Sequence, residues 1–344
     1  MRNKYIIIIA LLLVLFNGFP LIAQDSRYAD AVSTVWPKGK GLSFFIVSDP
    51  GRNGFDQQKV VAEKIGNLAG MINPKFIGST GDIFHFKGVE SVNDPLWISN
   101  FESIYAHPDL MCPWYIALGN HEHNGSTKAI FDYSKISRRW KTKSNYYTQV
   151  HRLSEKSSLR ILYIDTTPLQ RNANRPIDPE NFPELAAQDP NRQLQWIDSV
   201  LTVNKATWTI VVGHHQIYSN NSLAKKEYQN DDEMIKKVDP LLKKHNVDFY
   251  FSGHCHTFQH IHHDDTNMEY VINTSAGIAR AVDDKGGKGT LFCSSREGFM
   301  ACAVTDNEFH LWLIDFKGNV IYDFAKKKYL IFKSISMKQV FSFF

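Results

Sequence analysis

Residues 250–260 read YFSGHCHTFQH. An apolar, β-rich run ends at a glycine, and His254 and His256 follow with one residue between them. Alternate residues of an extended segment share a face, so both imidazoles are expected on one side and Cys255, as a spacer, on the other. Histidines clustered on a surface would spell the same letters, so the rest of the chain decides. Four more apolar runs end alike: FFIVSDPG at Asp49, FIGSTGD at Asp82, WYIALGNHEH at Asn120 and His121, and IVVGHH at His214. In an open α/β sheet the carboxyl ends of the strands converge on one crevice, where ligands bind. Five such ends predict one shared site. Asp and Asn oxygens with neutral His nitrogens suit Fe, Mn or Zn. The glycines before Asp82, Asn120, His214 and His254 let the backbone turn sharply there.

Outward from these ends the chain alternates strands and helices. Leu42 opens a short apolar strand, and Asp56 stands as a cap before Val60, Val61, Ile65, Leu68 and Met71 at helical spacing. The pattern predicts strands over 76–80, 114–118, 159–164, 208–212 and 247–251, and helices over 95–106, 126–140, 190–204 and 232–245. From Met268 it changes to strands and turns: MEYVINTSAG, FMACAVT, EFHLWLID, NVIYDF. Strand–helix units followed by a strand-rich end imply mixed sheets with outer helices, an α/β architecture.

The totals are those of an ordinary globular chain of 344 residues, 43% hydrophobic and 22% charged. The net charge of +4 comes without a dense basic stripe interleaved with aromatics, so nucleic-acid binding is not expected. Arg2 and Lys4 precede an unbroken apolar run of 12 residues, Tyr5 to Phe16, with Asn17, Gly18 and Pro20 beyond it and Ala23 at a cleavage position. This is the layout of a signal peptide over residues 1–23, and a spanning helix needs roughly 20 apolar residues. Export to the periplasm or outside is expected, with no transmembrane span in the mature chain, 24–344. Export permits disulfides, and Cys293 and Cys302 flank a turn-rich stretch where one would fit. No C-x-x-C pair occurs among the four cysteines, which argues against a thiolate zinc site.

In order, D-x-G, G-D-x-x, G-N-H, V-x-x-H and G-H-x-H resemble the signature of the calcineurin-like metallophosphoesterases. The likeness is greatest to the small, tartrate-resistant (type 5) purple acid phosphatases. GDIFHFKGV, PWYIALGNHEHNG, YSKISRRW and TSAGIAR add to it, and it runs from about Leu42 to Phe324, the expected catalytic core of a single domain. The resemblance implies a four-layer α/β/β/α sandwich of two mixed sheets. It implies that Asp49 and His256 hold one metal, that Asn120, His214 and His254 hold the second, and that Asp82 bridges them. It gives His121 the role of the acid that protonates the leaving group. Two metals roughly 3.5–4 Å apart activate a water and stabilise both oxygens of an in-line displacement.

Two positions depart from the family. Its iron-binding tyrosine lies three residues after the bridging aspartate, where this chain has His85. An imidazole supplies neither the purple colour nor the ferric preference of a phenolate, and His85 is expected as a nitrogen ligand. A further histidine of the small type is replaced by Leu223, and His123 and His215 are candidates for its substrate contact or for packing behind the site. His260, His262 and His263 read as an exposed turn. The expected function is hydrolysis of small phosphomonoesters by a monomer with two divalent or mixed-valent ions (Fe, Mn or Zn). A phosphodiesterase or nucleotidase on the same scaffold, or a non-catalytic phosphate-binding or anchoring relative, are the competing readings.

Overall fold

Strand β1 (Leu42–Val47) sends Phe44 and Ile46 to one side and Phe45 and Val47 to the other, and all four are fully buried. A strand apolar on both faces has to lie between two layers. The computed structural model describes residues 32–36, 39–203, 205–221, 224–283 and 286–328. The expected signal peptide and Leu223 lie outside them.

After β1 the chain adds β2 (Ile77–Ser79) and β3 (Trp114–Ile116), both parallel to it. It then builds a second sheet from β4 (Tyr147–Arg152), β5 (Ser158–Tyr163), β6 (Trp208–Val212), β7 (Phe249–Ser252), β8 (Phe258–His262), β9 (Glu269–Ile272) and β10 (Thr290–Ser294). The strands β11 (Gly298–Val304), β12 (Glu308–Asp315) and β13 (Val320–Lys327) return to the first sheet. The orders are β13-β12-β11-β1-β2-β3 and β10-β8-β9-β7-β6-β5-β4. Phe44, Ile46, Met300, Phe309 and Leu311 of the first sheet meet Ile161, Trp208, Ile210, Phe249 and Phe251 of the second in one core. The opposite faces pack on helices, with Val61, Ile65 and Leu68 of α1 (Gln58–Ile72) on the first sheet. The architecture is the expected sandwich of two mixed sheets with outer helices.

The short helices α2 (Thr127–Asp132), α3 (Thr166–Leu169) and α4 (Pro183–Ala186) precede α5 (Pro190–Val203), α6 (Asp232–Lys237) and α7 (Asp239–Lys244). Several expectations are corrected. Asp56 does not cap α1; it adopts a positive φ of 52°, and the helix begins at Gln58. The helix expected over 232–245 divides at Val238, because Pro240 has no N–H to continue the ladder. The helix expected over 126–140 stops as α2 and one further tight turn. The segment 95–106 holds a π-helical turn, Trp97–Glu102. His260 is not in an exposed turn: it is fully buried in β8, bonded to Tyr322 Oη and Glu269. The reason is that its ring packs across the sheets on Tyr322 and Phe324 of β13, while β10, unread in the sequence, pairs along the outer edge of β8. The pairing of Cys293 with Cys302 is not formed, since Cys302 is a free thiol buried in β11. Among the described residues no helix is long and apolar enough to cross a membrane.

Candidate metal centre

All the motif residues lie just past strand ends: Asp49 after β1, Asp82 after β2, Asn120 after β3, His214 after β6, and His254 and His256 after β7. Four of them, Asp49, Asp82, His254 and His256, have φ between 47° and 62°. This left-handed conformation costs a non-glycine residue about 1–2 kcal/mol, and such strain clusters where function imposes it. It also corrects the strand-alternation argument. His254 and His256 are not extended; two left-handed turns carry their rings to different places.

His254 joins His214 and His215, while His256 joins Asp49 and His85, each set with donor atoms within 4.8 Å of one another. Asp82 joins His85 and His121 in a third set, and Asp49 and His214 in a fourth. Asp49 and Asp82 thus link the groups into one cluster.

Backbone carbonyls set the ring orientations. His214 Nδ1 lies 2.9 Å from the Thr80 carbonyl, and His256 Nδ1 lies 2.8 Å from that of Ile278. A carbonyl only accepts, so each Nδ1 carries the hydrogen and each Nε2 presents a lone pair inward. His214 Nε2 then faces Asp82 Oδ2 at 3.2 Å, Asn120 Oδ1 at 3.0 Å and His254 Nδ1 at 3.2 Å. His256 Nε2 faces Asp49 Oδ1 at 3.1 Å, and His85 Nε2 faces Asp82 Oδ2 at 3.3 Å. Converging lone pairs at such distances require a cation among them. With protons alone to supply it, His214 is pushed up to about 9: burial opposes the charge, and the Asp82 carboxylate overrides burial. The donor set therefore fits divalent ions, and carbonyl-oriented imidazoles are the usual outer support of such sites.

His121 differs from the rest. Its side chain is 25% exposed, its Nδ1 is 2.9 Å from the Phe86 carbonyl, and its Nε2 stands 3.9 Å from Asp82 Oδ2. That leaves it at the mouth of the cluster. His123 is buried, with Nε2 held by Asp165 at 3.0 Å. His215 has both ring nitrogens engaged, by Thr166 Oγ1 and by the Gln170 amide, and sits behind His214 and His254. Cys255 is buried, its Sγ turned to the Tyr228 carbonyl.

The sequence reading missed Glu122. This buried carboxylate accepts from the N–H groups of Asp82 at 2.8 Å and Gly119 at 2.7 Å, tying two motif loops together. Burial, with the negative charge of Asp82, pushes its carboxyl up to about 7. Its position in GNHEH was the available signal. Arg280 also stands at the centre: its guanidinium donates to the His254 carbonyl at 2.7 Å and lies 4.0 Å over the Tyr228 ring.

A model of the calcineurin-like phosphoesterase family matches residues 42–258. That is more than half of the chain, and the chain belongs to this family of metallophosphoesterases. Its relatives there are purple acid phosphatases, and the centre is that of a dimetal phosphoesterase of their kind. Purple acid phosphatase 17 of Arabidopsis thaliana is 26% identical over 339 residues, 95% of this chain and 96% of the relative. Tartrate-resistant acid phosphatase type 5 of Oryctolagus cuniculus is 34% identical over 219 residues, 62% of this chain and 64% of that protein. Among solved structures, GAP50, the anchor in the inner membrane complex of Plasmodium, aligns with a TM-score of 0.72 at 24% identity over 84% of this chain and 89% of that one. Purple acid phosphatase PPD1 from yellow lupin seeds aligns with a TM-score of 0.60 at 13% identity, over 84% and 54%. At those identities the two structures speak for the fold.

Proposed function

We propose that the protein is an exported phosphatase that hydrolyses small phosphomonoesters at a dinuclear centre. The observation that carries this is the convergence of imidazole nitrogens with carboxylate and amide oxygens, at 3.0–3.3 Å, on one cluster at the strand ends. Asp49, His256 and His85 would hold one ion, Asn120, His214 and His254 the other, and Asp82 both. Bound there, two ions (Fe, Mn or Zn) would supply a nucleophile from water and offset the charge of an in-line displacement. The chain's own residues do the rest. Glu122 fixes the loops that carry Asp82 and Asn120. His121, at the mouth, delivers the proton to the departing oxygen. The charged start and apolar run before Ala23 support export.

Metal analysis and hydrolysis of an aryl phosphate test the reading together. The expected result is two ions per chain and turnover in the wild type, with Asp82→Ala losing both. A wild type that binds neither ion and hydrolyses nothing would make the protein a non-catalytic relative.

A further inference from the structure

A pocket of about 170 Å³ opens beside the centre, and Asn120 forms part of its wall. Another wall residue, Asn124, contacts the same Phe86 carbonyl as His121 Nδ1, so the pocket borders the acid as well as the metal ligands. Three of its lining residues each carry a buried polar atom with no protein hydrogen-bond partner: His123 Nδ1, Thr167 Oγ1 and Arg171 Nε. His123 and Thr167 are 5% and 1% exposed, so water does not readily satisfy them. An unpartnered buried polar atom costs about 1–3 kcal/mol, and three such atoms belong to residues of this one lining.

The remaining lining defines the ligand. Pro176, Ile177, Phe182 and Leu185 make apolar walls. The volume matches the cavity of about 150 Å³ that accepts a benzene ring. Asp231 acts on the Arg171 guanidinium only as a charge beyond direct ion-pair contact, and the Arg171 carbonyl is pinned by Lys237 Nζ at 2.8 Å. Asp178 also lines the pocket, but its carboxylate is taken by the N–H groups of Glu180 and Asn181 and by the Asn181 amide. A planar guanidinium so placed matches a carboxylate.

We propose that this pocket receives the alcohol part of the ester and selects a single-ring group bearing a carboxylate, read by Arg171 with Thr167. This rests on the phosphomonoesterase reading, and it makes Arg171 a specificity residue. The test compares kcat/KM for para-carboxyphenyl phosphate and phenyl phosphate with the metal-loaded full chain. The wild type is expected to favour the carboxylated ester by about tenfold or more, the scale of one charge-assisted hydrogen bond. Arg171→Gln, melting like the wild type, brings that ratio close to one, and Arg171→Lys keeps part of it. A ratio near one in the wild type, or one that Arg171→Gln leaves in place, overturns the assignment. Calorimetric titration with para-hydroxybenzoate and with phenol reads the pocket without turnover. Tighter binding of para-hydroxybenzoate, lost in Arg171→Gln, upholds the pocket even if neither ester is hydrolysed and the phosphatase reading fails. Equal binding of the two overturns it.

Discussion

His85 stands where the family resemblance leads to the expectation of an iron-binding tyrosine. Its Nε2 sits 3.3 Å from Asp82 Oδ2, and it shares a donor set with Asp49 and His256. An imidazole there gives no phenolate-to-iron charge transfer. The iron-loaded wild type should show no intense visible band, and His85→Tyr should gain one along with tighter retention of ferric iron. Absorption spectra and metal analysis check both, and a purple wild type would remove His85 from the explanation. His121 makes a kinetic prediction. A positioned general acid is worth about a hundredfold to ten-thousandfold. His121→Ala should lose that much on alkyl phosphates, less on aryl phosphates whose leaving groups need little protonation, and should keep its metal. Equal losses on the two ester types would assign His121 to binding instead.

At the level of elements, the site depends on loops that cross very closely. A Cβ on Gly119 would stand 2.6 Å from Asp82 N and 2.8 Å from Asp82 Cγ, so an added methyl has to displace the residue proposed to bridge the ions. A misplacement on the order of 1 Å costs about a hundredfold in rate. Gly119→Ala should show that loss together with reduced metal content, while its far-ultraviolet circular dichroism stays that of the wild type. Wild-type metal content in this variant would mean the loops yield elsewhere. The sheet edges explain what pattern reading missed. Tyr147–Arg152 (β4) and Thr290–Ser294 (β10) are the two outer strands of the second sheet, half-exposed and mixed in polarity, so neither produces an apolar run.

Across the whole molecule, a polar group far in sequence from the site ties the second sheet to the end of the first. Glu269 accepts from His260 at 3.2 Å, His262 at 2.9 Å and Lys326 of β13 at 3.0 Å. Burial opposes ionisation, but His260 and Lys326 outweigh it and lower its carboxyl from 4.5 to about 2. A depressed folded-state value means the contribution is complete above pH 4.5 and is lost as pH falls toward about 2. Glu269→Gln should therefore destabilise the protein by about 2 kcal/mol near neutrality, with the gap to the wild type closing below that window. Thermal melts across pH read it, and a gap independent of pH would assign the effect to packing. The sequence by itself determined most of the buried strands, since those are apolar runs, though not β8 with Gln259 and His260, and it determined the residues that follow them, since Asp, Asn and His after a glycine have few other uses. It also determined the family likeness. Only the tertiary structure decided how those residues meet. His254 and His256 part company through left-handed turns, Glu122 bridges loops 40 residues apart, and His260 is buried against β13 of the other sheet. The physical reason is that periodicity reports which face of an element is apolar. The partner of a polar atom is set by packing between segments distant in the chain, and no local pattern records it.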